Sequence, residues 1–160
     1  MKTDHVDAIL AQWAEQRPDL DCSPMGVIGR LSRMKQLMTP KLDDVFKQHG
    51  LSSIEFDILA SLRRAGGPVT PTELYQTLML SSGAMSTRVD GLVKRGLVVR
   101  QASETDRRSC LVSLTDEGNA LINRAVEQHF ENERQILFPF TQEEQMQLAN
   151  LLRKWLIANE

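Results

Sequence analysis

Apolar positions along this chain follow the spacing of helices almost throughout, with one short interruption beyond the middle. Val6, Ile9, Leu10 and Trp13 stand at i, i+3, i+4 and i+7, and the stripe ends before Pro18, which predicts a first helix needing cover for one face. Ser23-Pro24, a cap residue followed by proline at the first helical position, opens a second helix. It carries Ile28, Leu31, Met38, Leu42, Val45 and Phe46 towards Gly50, and Pro40 should kink or break it. A third begins with Ser52 and Glu55, spaced as a capping box, and runs through Ile58, Leu59 and Leu62 to a Gly66-Gly67-Pro68 stop.

Thr70-Pro71-Thr72-Glu73 repeats the capping signature and opens a short helix with Leu74 and Leu78. Ser81 and Ser82 are cap candidates for the next, whose inward stripe is Met85, Val89, Leu92 and Val93 and whose stop is Gly96. Two short helices joined by a tight turn make a helix-turn-helix. The period then changes: Leu97-Val98-Val99-Arg100-Gln101 and Cys110-Leu111-Val112-Ser113-Leu114 are rich in β-branched residues and flank a charged connection, which predicts a β-hairpin. Thr115-Asp116-Glu117 starts a long helix with Leu121, Ile122, Val126 and Phe130. Thr141-Gln142-Glu143-Glu144 caps a last one with Met146, Leu148, Leu151, Leu152 and Trp155. The expected fold is mainly α with a small β-hairpin wing, a winged helix-turn-helix.

Length and composition bound this picture. A chain of 160 residues, 41% of them hydrophobic, suits one folded domain, expected to span residues 1–160. No run reaches the roughly 18 apolar residues of a membrane span, and the polar start Met1-Lys2-Thr3-Asp4-His5 lacks a signal-peptide core, so the expected location is the cytoplasm with no membrane partner. Cys22 and Cys110 lie far apart without a Cys/His cluster, which argues for free thiols and against a metal site or a cofactor. His5, His49 and His129 are isolated and no nucleophile motif accompanies them, so an enzyme is not expected.

Charge changes the picture more. Residues 61–110 hold eight Lys/Arg against four acids, dividing the net −2 of the chain into +4 there and −6 elsewhere. A basic middle on an acidic body suits a polyanion bound by one surface. With the stripe from Met85 to Val93 inward, Ser86, Thr87, Asp90, Gly91 and Lys94 face outward and Arg88 falls on the flank. Ser82 lies at the helix start, where free N–H groups hold phosphate. The hairpin tip places Asp106, Arg107 and Arg108 where arginine can enter a narrow minor groove, Asp106 steadying a guanidinium. Arginines beside an aspartate are common in solvated turns; the weight comes from the joint order of capped helix, turn, serine-rich helix, glycine stop and arginine-tipped hairpin.

The run Leu92-Val93-Lys94-Arg95-Gly96-Leu97-Val98, followed by Asp106-Arg107-Arg108 and Leu114-Thr115-Asp116-Glu117-Gly118, resembles the MarR family of transcriptional regulators, and the likeness extends over most of the chain. The resemblance implies a homodimer on a pseudo-palindromic double-stranded operator, with residues 1–50 and 115–160 supplying N- and C-terminal dimerisation helices and 51–114 the DNA-binding lobe. The apolar stripes containing Trp13 and Trp155 give an independent reason for a second copy, since one small lobe has little to cover them. Carried over, Ser82, Ser86, Thr87 and Arg88 serve the major groove, Arg108 the minor groove, Asp106 steadies Arg108, and Arg107 holds backbone phosphate.

Trp13, Arg17-Pro18-Asp19-Leu20-Asp21, Ser23 to Leu31, Glu55 to Leu59 and Ser82-Gly83-Ala84-Met85 are similar to the urate-responsive subgroup of that family. There a tryptophan on the added helix, an aspartate before the helix-turn-helix and an Asn-Arg pair on the recognition helix form the ligand pocket. Trp13, Asp57 and Arg88 match, and Thr87 stands in place of the asparagine. A hydroxyl offers fewer fixed hydrogen bonds than an amide, so the implied effector is a small aromatic or phenolic anion, urate being one candidate. The other readings are a thiol sensor through Cys22, a winged helix used for protein contacts, and an enzyme.

Overall fold

The computed structural model describes residues 2–78, 82–102 and 110–160, and of Tyr75 and residues 82–85 the backbone alone. It divides into two compact units, Met1–Lys41 and Leu42–Glu160. In the first, α1 (His5–Gln16) is capped by Asp4, whose carboxylate accepts from the Val6 and Asp7 N–H groups while Asp7 answers the Asp4 N–H. Arg30 on the next helix binds both acids, at 2.8 Å to Asp4 and 2.7 Å to Asp7. Gly26 and Gly29 let the two helices approach: a Cβ on Gly29 would stand 3.3 Å from the Val6 side chain, the buried residue of α1.

Helix α2 (Met25–Gln48) starts later than its sequence signal, because the Met25, Gly26 and Val27 N–H groups bond three residues back and wind Cys22–Pro24 into a tighter turn. Pro40 neither breaks nor ends it: the helix passes through uninterrupted. The proline leaves the Gln36 carbonyl without its helical donor, and the Thr39 hydroxyl adds a bond to the Lys35 carbonyl in the same turn. The division into units falls one residue beyond, after Lys41.

The second unit is built on α3 (Ser53–Ala65), which contributes Phe56, Ile58, Leu59 and Leu62 to the core and packs against α4 (Pro71–Leu78), α5 (Ser82–Lys94), α6 (Asp116–Leu137) and strand β2 (Cys110–Leu114). The Ser52–Glu55 box starts it and Gly66, in the left-handed region, stops it, as the sequence predicts. β1 (Val98–Ala102) pairs antiparallel with β2, Val98 opposite Leu114 and Ala102 opposite Cys110, and Val69 adds an isolated bridge to Val112. Val98 and Val112 turn their side chains into the core beside Leu92 and Ile122. The last helix, α7 (Gln142–Ile157), contributes no buried residue. Among the described residues no helix is long and apolar enough to cross a membrane.

The Leu-Thr-x-x-Gly run has a structural reason. Thr115 caps α6 by accepting from the Gly118 N–H, donates its hydroxyl proton to the Gly96 carbonyl at 2.7 Å, and bonds its own N–H to the Leu97 carbonyl. A Cβ at position 118 would overlap the Leu97 carbonyl oxygen and lie 2.9 Å from its carbon. Gly118→Ala should therefore destabilise the chain by about 2–3 kcal/mol, since backbone has to give way. Thr115→Ala should lose about 1 kcal/mol of cap. Urea denaturation checks the order, which helix propensity alone reverses by favouring alanine at position 118.

Candidate nucleic-acid interface

Helices α4 and α5 form the helix-turn-helix. The reciprocal bonds between Thr70 and Glu73 start α4, at 2.8 Å from the Thr70 N–H to the carboxylate. α5 is held to the core by Val89 and Leu92, fully buried, with Val93 packed beside them. That seam leaves Ser86, Thr87, Asp90 and Lys94 exposed, as the period predicts; Arg88, expected on the flank, is exposed as well, and Gly91, expected outward, is partly covered. The α5 backbone starts at Ser82; the side chain of Ser82, and Asp106, Arg107 and Arg108 altogether, lie outside the described residues. The strands leading to and from the tip are paired in full register and stand directly after α5 in the chain.

Two ion pairs join α5 to its surroundings. Asp90 meets Arg100 of β1 at 2.7 Å. Arg95, at the end of α5, donates to the Gly50 carbonyl at 2.9 Å and to Glu55 at 3.2 Å. Glu55 also accepts from the Ser52 N–H and hydroxyl through its other oxygen. Burial works to raise its pKa, but those Ser52 bonds, then Arg95 and Arg88, outweigh it and hold the carboxyl below its ordinary value. Sequence patterning reads Glu55 only as a cap. The available signal was the spacing of Arg88 and Arg95, seven apart and so on one face of α5.

The candidate ligand residues are divided between the units. Trp13 belongs to the first and is 44% exposed; Asp57, Thr87 and Arg88 belong to the second. Asp57, on α3, is exposed by surface area, yet nearby protein raises the pKa of its carboxyl by desolvation, with Arg64 and His129 opposing. The charge felt by Glu55, by contrast, includes Arg88. His129 itself lies among Phe46, Phe56 and Phe130, with Glu133 3.2 Å from Nε2. A hollow of about 200 Å³ between the end of α3 and β2 is lined by Leu62, Arg63, Ser113, Leu114 and Asn119, and by none of the candidate residues. Cys22 and Cys110 are free thiols, each partly covered.

A model of the MarR family matches residues 49–109, the stretch from just after α2 to just before β2. The chain is 50% identical over 149 residues to the HTH-type transcriptional regulator PecS of Dickeya dadantii strain 3937, covering 92% of this chain and 90% of that one. This chain belongs to the MarR family. A homoprotocatechuate degradative operon repressor of Escherichia coli is 32% identical across 70% of this chain and 75% of its own. Among solved structures, a cysteine-to-serine mutant of Escherichia coli MarR complexed with operator DNA superposes with a TM-score of 0.72 at 27% identity, covering 90% of this chain and 97% of that one. As a MarR-family winged helix-turn-helix protein it is a DNA-binding transcriptional regulator, which sets aside the enzyme reading.

The raised pKa of Asp57 makes a signed prediction. An acid whose folded pKa is raised penalises the fold once ionised; the penalty is absent below the ordinary 3.8 and grows as pH rises through the raised value. Asp57→Asn should therefore raise the melting temperature near neutral pH and leave it unmoved below pH 3.8. Melting curves across that range check the sign.

Proposed function

We propose that the chain is a ligand-responsive repressor that binds a pseudo-palindromic operator as a homodimer and is released by a small aromatic anion. The observation that carries the DNA half is the exposed surface of α5, with Thr87 opposite the Val89–Leu92 seam and Ser86 and Arg88 exposed on its two flanks. Small hydroxyl side chains allow the helix close to a major groove and donate to phosphate or base edges, and Arg88 supplies the charge. Ser82 at the helix start suits a phosphate, and Asp106, Arg107 and Arg108, outside the described residues, are the residues assigned to an adjacent minor groove. The operator complex of Escherichia coli MarR supports this reading by kinship of fold.

Release follows from the position of Arg88. A carboxylate or urate anion that pairs with the Arg88 guanidinium turns α5, so two half-site readers lose their spacing. The homoprotocatechuate operon repressor among the relatives favours an aromatic acid as the effector class. Binding to DNA upstream of its own gene should be sub-micromolar and fall steeply with salt, as phosphate contacts dictate. Arg88→Ala should weaken it about tenfold or more, and at least one of urate or a panel of aromatic acids should release it. Mobility shifts across salt and ligand series check each point; duplex binding indifferent to Arg88→Ala and to every acid would sink both halves.

Dimerisation rests on the terminal helices. Every residue from Leu151 to Ile157 is exposed, Trp155 at 62%, and α6 leaves Phe130 uncovered. Such an apolar stripe on an amphipathic helix calls for another copy. The domain reading follows: residues 1–50 and 115–160 serve dimerisation and 51–114 reads DNA. Sedimentation should give a dimer at micromolar concentration, and Trp155→Glu should shift it towards monomer while the winged lobe keeps its far-ultraviolet helix signal.

A further inference from the structure

Among the described side chains α5 is held to the core by Val89 and Leu92, fully buried, with Val93 packed beside them. That apolar seam lies on one face of the helix and leaves both flanks to polar contacts. At 100° per residue Asp90 lies about 130° to one side of the seam and Arg95 about 90° to the other, the Arg95 N–H still bonding to the Gly91 carbonyl as a continuing helix. Each flank carries an ion pair to a different neighbour: Asp90 to Arg100 of β1 at 2.7 Å, and Arg95 to Glu55 at 3.2 Å and to the Gly50 carbonyl at 2.9 Å. Exposed pairs add little to global stability. Placed on opposite flanks of one apolar seam, they fix an angle.

Resting on the reading of α5 as the recognition helix, we propose that the Asp90–Arg100 and Arg95–Glu55 pairs set its roll between the wing and the α2–α3 corner. These four are positioning residues for operator specificity, not for general affinity to DNA. Asp90 is an acid on a surface that meets phosphate, so charge alone says its removal should tighten every duplex. Loss of a roll constraint says otherwise for the cognate one: base contacts lose alignment while phosphate contacts, tolerant of angle, remain.

The test compares binding to the duplex that the wild-type chain selects from a random-sequence pool with binding to a shuffled duplex of equal composition. Asp90→Asn should weaken the selected duplex, hold or tighten the shuffled one, and cut their ratio about tenfold, the effect of one mismatched base pair. The exchange Asp90→Arg with Arg100→Asp, which keeps net charge and pairing, should restore most of the ratio, and the melting temperature should stay near wild type for both. An unchanged ratio in Asp90→Asn, with both duplexes bound more tightly, overturns the proposal and leaves the recognition-helix reading intact. Failure of the wild-type chain to select any duplex overturns both.

Discussion

One threonine decides where the wing stands. Thr115 closes the return strand β2, caps α6 through the Gly118 N–H, and reaches back through its hydroxyl to the Gly96 carbonyl, where α5 ends. Its N–H holds the Leu97 carbonyl, at the foot of β1. Both feet of the hairpin, the end of the recognition helix and the start of α6 are thus fixed by bonds of one residue and its cap. Gly118 is the condition for that closeness, because any side chain there collides with Leu97. A two-stranded hairpin is marginal by itself; here it borrows rigidity from α6 through this junction and from Val69 through the bridge to Val112.

On that rigid base the charges sort themselves. The acids that cap helices, Asp4, Glu55, Glu73 and Glu144, all carry lowered pKa values, with bonds from Asp7, Ser52, Thr70 and Thr141 backbone groups among the causes. These four acids are used in starting helices, while the exposed face of α5 keeps Arg88 and Lys94. Asp90 is the exception on that face, and its partner Arg100 offsets it.

What could be read from sequence was local. Caps at Ser52, Thr70, Thr115 and Thr141, the glycine stops at Gly66 and Gly96, and the exposure of Ser86, Thr87, Asp90 and Lys94 on α5 all depend on neighbours within four or five residues or on a fixed period, and each stands as patterned. The passage of α2 through Pro40 did not show, because a proline weakens one turn while the rest of a 24-residue helix continues to hold. Asp4 escaped notice as a cap since its partner in the box is a second aspartate rather than the usual glutamate or glutamine. The pairs Arg95–Glu55 and Asp90–Arg100 span forty and ten positions, and no periodicity links residues on different elements. The same limit applies to the candidate ligand residues, whose sequence match says nothing about distance.

The contrast between α3 and α5 gives the proposed switch its energetic logic. α3 buries Phe56, Ile58, Leu59 and Leu62, and at about 1.5–3 kcal/mol for each large apolar side chain its place in the core is beyond the reach of a small ligand. α5 buries fewer, Val89 and Leu92 among the described side chains with Val93 beside them, and adds polar ties on its flanks. Reversing a two-state equilibrium from 1:99 to 99:1 takes about 5.5 kcal/mol of differential binding, and a ligand of millimolar to micromolar affinity supplies about 4–8 kcal/mol in all. Under the proposed release mechanism, an aromatic anion of micromolar affinity that binds mainly the turned state reaches that figure, and one of millimolar affinity falls short of it.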